Sequence, residues 1–177
     1  MGSKGFIGTT SFFGAKNTFS RTTPGFIKNH RRRGEWVEAR FLDFACERGF
    51  QVNKPWGESS RYDFVLDRNG HFLRVQVKST ICRRKDGSYV CNLRTNRGYY
   101  SMKEVDFFAL YVIPKKTWYI IPSSVATRVT GPFWLWPHCT KRKHKYDIYS
   151  EAWDLLRVWK PKPASPHRVK HSSTSAV

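Results

Sequence analysis

The chain has 177 residues, 40% of them hydrophobic and 16% aromatic, which is enough to bury the core of one ordinary domain. Its 32 Lys and Arg residues outnumber its 13 Asp and Glu residues and give a formal net charge of +19. Such a charge attracts polyanions, so nucleic acid is the expected partner, although a membrane surface or an acidic protein would meet the same field.

The sequence argues against a zinc site and against a membrane-bound or secreted location. The four cysteines stand singly, without a CxxC pair or a histidine at zinc spacing, so we predict reduced thiols and no zinc site. No run approaches the roughly 18 apolar residues of a membrane span, and no signal peptide is visible. We therefore expect a cytoplasmic, nucleoid-associated protein that is neither secreted nor membrane-bound.

The distribution of charge predicts three segments. Residues 1–34 carry seven basic groups and no acid, and residues 160–177 carry four basic groups and no acid. All thirteen acids lie between these two segments. We predict a flexible basic arm over 1–33, a folded domain over 34–159 and a basic disordered tail over 160–177.

Helical and strand-like patterns alternate along the middle segment. A helix is predicted from Glu35 to Arg48 and is closed by Gly49. A short strand follows, and then a hairpin turns at Asn69-Gly70, because both central residues of a type I′ turn need positive φ. A third strand extends this hairpin into a three-strand meander. A short helix that begins with a capping box, two buried strands and a final helix come after it. These predicted elements are 51–54, Tyr62–Leu66, Phe72–Lys78, Tyr89–Leu93, Ser101–Glu104, Phe107–Val112, Trp118–Ile121 and Ile148–Trp159. The order predicts an α/β domain with a mixed sheet of about five strands flanked by helices.

Glu38 occupies an unusual place on the predicted first helix. On a helical wheel it lies in the apolar arc, close to Phe41, Leu42 and Ala45. A carboxylate that faces a core needs a partner, because burial penalises its charged form. Taken alone, Glu38 is best explained by an edge position or a salt bridge to a nearby Lys or Arg, and a functional site is the alternative.

Three polar residues share one face of the predicted hairpin. With a two-residue turn Asp63 lies opposite Gln76, and with a four-residue loop it lies opposite Arg74. In both registers Asp63, Gln76 and Lys78 lie on the same side, since side chains alternate along a strand. A solvated sheet face is the plain alternative.

Taken together, these residues predict a site for one or two divalent cations. Hard cations such as Mg²⁺ or Mn²⁺ take oxygen ligands, here Glu38, Asp63, the amide oxygen of Gln76 and the carbonyl of Val77. Lys78 beside them is suited to orienting a water molecule or stabilising charge on a pentavalent phosphate.

The same residues resemble the PD-(D/E)xK nuclease superfamily, in which an acid on one strand precedes an acid-x-Lys motif on the next. The similarity is to a bacterial group that includes a group I intron homing endonuclease and carries Gln in place of the second acid. The segments that carry it are Gly34–Glu38, Tyr62-Asp63, Arg74–Lys78, Val105–Phe108 and Trp118–Pro122. Tyr62 departs from the Pro of the family name, and Gln76 removes one negative charge.

The resemblance covers about residues 34–159 and implies a restriction-endonuclease-like fold with Mg²⁺-dependent hydrolysis of phosphodiester bonds. By the same resemblance Glu38, Asp63 and Gln76 are metal-site residues and Lys78 is catalytic. We therefore expect a nuclease domain acting on double-stranded DNA. A homodimer or homotetramer would supply the two active sites that cutting both strands usually takes.

Several clusters of basic residues are predicted to contact phosphates. They are Arg31, Arg32, Arg33, Arg83, Arg84, Lys85, Lys141, Arg142, Lys143 and Lys145. The alternative is an exposed hairpin tip for 83–85 and a solvated loop for 141–145. Trp134 and Trp136 are predicted to cover the core.

Two other functions stay open on the sequence. A non-catalytic nucleic-acid-binding protein that retains a nuclease-like fold is compatible with the charge lost at Gln76. An RNA-directed nuclease of the tRNA-splicing type would use a metal-free set of Tyr, His and Lys, and no such set is recognisable.

Overall fold

The computed structural model describes residues 27–57, 59–95 and 98–158. Most of the predicted arm and the whole predicted tail lie outside the described residues. Within the described part of the chain, no helix combines the length and the apolar character that crossing a membrane requires.

The first helix, α1, spans His30–Glu47 and begins five residues before the predicted start at Glu35. The side chain of Asn29 caps its N-terminus by accepting a hydrogen bond from the backbone of the first turn. Gly49, with φ of +77°, follows its C-terminus as predicted. Residues 31–33, which we had predicted to belong to a flexible arm, are therefore helical.

Within residues 27–57, 59–95 and 98–158, seven strands form two sheets. They are β1 (Gln51–Asn53), β2 (Phe64–Arg68), β3 (His71–Thr80), β4 (Tyr89–Cys91), β5 (Phe107–Val112), β6 (Thr117–Pro122) and β7 (Phe133–Leu135). The main sheet has the order β1-β2-β3-β5-β6, in which β3 and β5 are parallel and the other neighbours are antiparallel. The predicted mixed sheet of five strands is thus confirmed.

The hairpin of β2 and β3 has the two-residue turn that the sequence predicts. Asn69 and Gly70 have φ of 52° and 84°, as a type I′ turn requires. Pairing runs inward from this turn as far as Phe64 and Val75. The next position of the register sets Asp63 beside Gln76, so turn chemistry alone fixes which residues meet.

The third predicted strand joins a different sheet from the one expected. Tyr89–Leu93 was predicted to extend the hairpin, but only Tyr89–Cys91 is a strand, and it pairs with Phe133–Leu135. The place beside β3 is taken by β5. The short strand β7, which the sequence analysis missed, therefore creates a second, two-stranded sheet.

The two later predicted helices are also shorter than expected. In Ser101–Glu104 the carboxylate of Glu104 accepts a hydrogen bond from the Ser101 backbone, but only a turn forms. The predicted helix Ile148–Trp159 breaks into a 3-10 turn, Asp147–Tyr149, and one helical turn, Leu155–Val158. Glu151 lies between them with φ of 51°, and its carboxylate accepts hydrogen bonds from the Trp118 backbone and the Trp153 indole. These bonds hold the chain out of a continuous helix.

The core has two parts, one on each face of the main sheet. On one face Val37, Phe41 and Ala45 of α1 pack against buried residues of β2, β3, β5 and β6. On the other face, residues such as Phe108 and Leu110 pack against the two-stranded sheet. Burial on both faces explains why all six residues of β5 are buried.

Candidate active site

Asp63 lies immediately before β2 and is held by the neighbouring strand β3. Its backbone N–H donates to the Val75 carbonyl at 2.9 Å. Its carboxylate oxygen Oδ2 accepts hydrogen bonds from the Val77 backbone at 2.7 Å and from Gln76 Nε2 at 2.5 Å. The carboxylate is therefore fixed in position by the β2–β3 register.

The electrostatic environment of Asp63 disfavours its charge. Burial, together with the nearby Glu38 carboxylate, raises the pKa of Asp63 to about 6. The hydrogen bond from Val77, the positive charge of Lys78 and the hydrogen bond from Gln76 act in the opposite direction. A bound cation would stabilise the ionised form of this carboxylate.

Gln76 is buried beside Asp63 and connects two of the predicted metal ligands. Its amino group donates to the Asp63 carboxylate and also to the Val77 carbonyl, the latter at 3.2 Å. The two oxygens thus converge on the partly positive NH₂ group of one amide. Once the Gln76 amide turns to present its own oxygen, it and the two converging oxygens are suited to binding a small cation.

Lys78 lies on the same face of β3 as Gln76, as predicted. These residues pair with Leu110 and Phe108, whose side chains belong to the core on that face. Lys78 Nζ lies 5.9 Å from the centroid of the Tyr100 ring, at the distance of a cation–π contact. Tyr100 was not found by the sequence analysis, because nothing in its local pattern indicates that it meets β3.

Glu38 reaches this region from the opposite face of the sheet, where α1 packs. Its side chain is 25% exposed and forms an ion pair with Lys54, with Nζ and Oε2 2.8 Å apart. It lies at the edge of the apolar stripe, and Leu42, which the wheel placed beside it, is exposed. The sequence allowed an edge position or a salt bridge for Glu38. The structure shows both, and Lys54 is the partner in the salt bridge.

Glu38 and Asp63 nevertheless share one cleft, which we call the site cleft. Its volume is about 420 Å³, and Lys54, Pro55 and Gly57 also line it. Gln76 and Lys78 do not line it, and Gln76 is joined to it through its hydrogen bond to Asp63. The four predicted residues are thus linked, with Asp63 between Glu38 on one side and Gln76 and Lys78 on the other.

The chemistry of the donors suits a hard cation. In residues 27–57, 59–95 and 98–158, no three His, Cys, Asp or Glu residues are placed to hold a metal ion together. Two carboxylates are available, and the further donors are the amide of Gln76 and the carbonyl of Val77. An all-oxygen set of this kind fits Mg²⁺ or Mn²⁺ and does not fit the nitrogen and sulfur preference of zinc.

The predicted phosphate-binding residues fall into two regions. Arg31 lies in the site cleft on the first turn of α1, which also carries Arg32 and Arg33. The other two basic segments, 83–85 and 141–145, meet at the two-stranded sheet around one tryptophan. The Arg84 guanidinium lies 4.9 Å from the Trp134 ring centroid, and residues 142–145 line a groove beside the same ring.

The tryptophans of this second region are not simply core residues. Trp134 is 43% exposed, contrary to the prediction that it covers the core, because it lies on the outer face of β7. Trp136 is half-buried and stacks on His144, with the ring centroids 4.1 Å apart. We define this surface, formed by 83–85, Trp134, Trp136 and 141–145, as the basic aromatic surface.

Comparisons with known proteins agree with the geometry. The structure is similar to that of the bacterial homing endonuclease I-Ssp6803I, with a TM-score of 0.66 and 29% sequence identity. The similarity covers 72% of this chain and 93% of that one. None of the curated proteins matches the chain. The sequence model of the PD-(D/E)XK endonuclease family matches residues 28–155, well over half of the chain. The chain therefore belongs to the PD-(D/E)XK endonuclease family.

Proposed function

We propose that this protein is a divalent-metal-dependent endonuclease that hydrolyses phosphodiester bonds in double-stranded DNA. The observation that carries the proposal is the convergence of Asp63, Gln76 and the Val77 carbonyl, with Lys78 on the same face. Membership of an endonuclease family and similarity to a homing endonuclease support DNA as the substrate.

The metal ligands in this proposal are Asp63, Gln76, the Val77 carbonyl and Glu38. When Mg²⁺ or Mn²⁺ is bound there, it polarises the phosphoryl group and lowers the pKa of a water molecule. Asp63 supplies the anionic oxygen, and its position is set by the Val77 backbone N–H. Gln76 has to turn its amide, because its NH₂ group now faces both oxygens.

Lys78 has the role of stabilising the negative charge that develops on the phosphate during reaction. A charge that acts mainly in the transition state accelerates the chemistry without adding much to binding of the substrate. The Tyr100 ring and the strand β3 hold the ammonium group near Asp63.

In this proposal, the duplex is bound through the positive net charge of the protein and the positions of its basic residues. Arg31 beside the site cleft and the basic aromatic surface would contact phosphates, and the formal charge of +19 would draw in the duplex. Cutting both strands takes two active sites, which a homodimer or homotetramer would supply.

One observation favours a second candidate, a non-catalytic DNA-binding protein with the same fold. The amide of Gln76 already satisfies both oxygens that would bind the metal. If the amide stays in this orientation, no ion binds and the protein holds DNA without cutting it.

Cleavage of supercoiled plasmid in Mg²⁺ and in EDTA separates the two candidates. We expect nicking in Mg²⁺, none in EDTA, and a loss of at least about 100-fold in Lys78→Ala, since removal of one transition-state donor costs about 10²–10³ in rate. Lys103→Ala, an exposed lysine away from the site, is the control. Equal DNA binding by gel shift in both variants is part of the expectation.

The outcomes differ for each hypothesis. Binding without cleavage under every metal condition supports the non-catalytic protein. Cleavage by Lys78→Ala at the parent rate contradicts the role of Lys78, and undiminished cleavage in EDTA contradicts the role of the metal.

A further inference from the structure

Trp56 is the most exposed large hydrophobic residue in the described part of the chain. Its side chain is 99% exposed, whereas the other exposed tryptophans, Trp36 and Trp134, are 37% and 43% exposed. A tryptophan side chain usually buries about 150–250 Å² in a fold or an interface. The fold leaves almost all of this surface exposed and available to a ligand.

The loop that carries Trp56 is part of the site cleft. Its neighbours on either side, Pro55 and Gly57, line the cleft together with Glu38 and Asp63. The proline ring restricts the backbone just before the tryptophan, and Gly57 adopts φ of +77°, which a larger residue rarely does. The backbone thus holds the indole at the edge of the cleft that contains the candidate site.

The surroundings of Trp56 suit a polyanion better than a folded protein. His30, Arg31 and Lys54 line the same cleft together with Glu35, Glu38 and Asp63, so a phosphate backbone that enters it meets basic side chains, and the proposed metal would offset the acidic ones. A protein interface would need a contiguous apolar patch with few charges at its centre. The neighbours of Trp56 in the chain are proline and glycine, the cleft beside it is lined mostly by polar and charged side chains, and an exposed aromatic ring next to basic groups is suited to stacking on nucleobases.

We propose that Trp56 inserts between adjacent base pairs of the bound duplex next to the phosphate that is cut. The ring would partly unstack the bases, as apolar wedges do in proteins that deform DNA. This proposal rests on the proposed function, since it needs a duplex in the site cleft. It has a further consequence: sites with easily unstacked pyrimidine–purine steps would be preferred without any contact to the base edges.

Insertion of a side chain unwinds DNA, and unwinding can be measured without cleavage or a known target sequence. Relaxed plasmid is incubated with the full chain in EDTA, treated with a metal-independent type I topoisomerase, deproteinised and resolved on an agarose gel. We expect the parent protein to change the linking number in proportion to the amount bound. Occupancy is measured by filter binding in the same buffer, so that variants are compared at equal binding.

Three variants make the measurement specific. Trp56→Ala is expected to lose most of the linking-number change at equal occupancy, and Trp56→Phe to keep a large part of it. Phe72→Ala removes an exposed aromatic side chain that belongs neither to the site cleft nor to the basic aromatic surface, and it is expected to match the parent. All three should melt near the parent temperature, and for Trp56 the reason is that its exposed ring contributes little to packing.

The outcomes separate this proposal from the proposed function. A linking-number change by Trp56→Ala equal to that of the parent, or no change by a parent protein that binds the plasmid, overturns insertion and leaves the nuclease proposal standing. A parent protein that does not bind the plasmid contradicts both.

Discussion

Replacing Asp63 with Asn should stabilise the metal-free protein at neutral pH. Burial raises the pKa of Asp63 from 3.8 to about 6, so the folded state holds a carboxylate whose charge is disfavoured. Each pKa unit corresponds to about 1.4 kcal/mol, and a shift of about two units therefore sets a ceiling of about 3 kcal/mol on the gain. Asn keeps an oxygen that accepts the hydrogen bond from Val77.

The sign of the pH dependence follows from the raised pKa. Between about pH 4 and pH 6 the folded parent binds more protons at Asp63 than the unfolded chain, so its free energy of unfolding falls as the pH rises through this window. Asp63→Asn lacks this loss. The difference between variant and parent should therefore be smallest below about pH 4 and reach its full value above about pH 6.

Urea unfolding followed by circular dichroism in EDTA, from acidic to neutral pH, measures this difference. Asp43→Asn, on the exposed side of α1, is the matched control and should show no comparable gain. If the proposed metal site is correct, Mg²⁺ should stabilise the parent and narrow the gap, since a ligand that binds only the folded form stabilises it. An Asp63→Asn variant that is less stable than the parent at neutral pH would refute the reasoning, because the contacts of the charged carboxylate would then outweigh its burial.

Three further predictions concern packing, binding and the site cleft. Phe41→Ala should lower the free energy of unfolding by about 3–5 kcal/mol in denaturant titrations, because Phe41 is fully buried on the core face of α1. A loss below about 1 kcal/mol would contradict its place in the core. Alanine at all three basic positions of 141–143 should flatten the slope of log K against log salt by up to about 3, and an unchanged slope would mean that they touch no phosphate. Lys54→Met should lower the Mg²⁺ concentration needed for thermal stabilisation, because it removes a positive charge that competes with Mg²⁺ near Glu38 and Asp63. A higher Mg²⁺ concentration in the variant would show that Lys54 positions Glu38 for the metal.

The hairpin could be predicted because its determinants are local. The Asn69-Gly70 turn sets the register, and alternation along the strands then decides which side chains share a face. Asp63, Gln76 and Lys78 follow from those two facts without knowledge of the rest of the fold. The same local turn chemistry explains why the end of α1 at Gly49 was placed correctly.

The sequence analysis is wrong where contacts between residues far apart in the sequence determine the local structure. Whether β4 pairs with the hairpin or with β7 depends on β5 taking the place beside β3. The helix expected near the C-terminus is interrupted because Glu151 bonds to Trp118, 33 residues away. A helical wheel shows which side of α1 faces the core but not which face of the sheet the helix covers. The sequence therefore could not predict that Glu38 approaches from the opposite face, nor that Lys54 is its partner.

The amide at position 76 has an electrostatic consequence that the register makes explicit. A carboxylate there would lie against the Asp63 carboxylate, and two like charges in one partly buried site cannot both be ionised without a cation. Gln76 instead donates to Asp63 and to the Val77 carbonyl, so the metal-free site is satisfied internally. The site then has fewer negative charges with which to attract an ion. Among the proposed ligands, Glu38, which lines the site cleft with Asp63, is the one that supplies a second negative charge. Metal affinity in this protein should accordingly depend more on Glu38 than the two-strand motif alone implies.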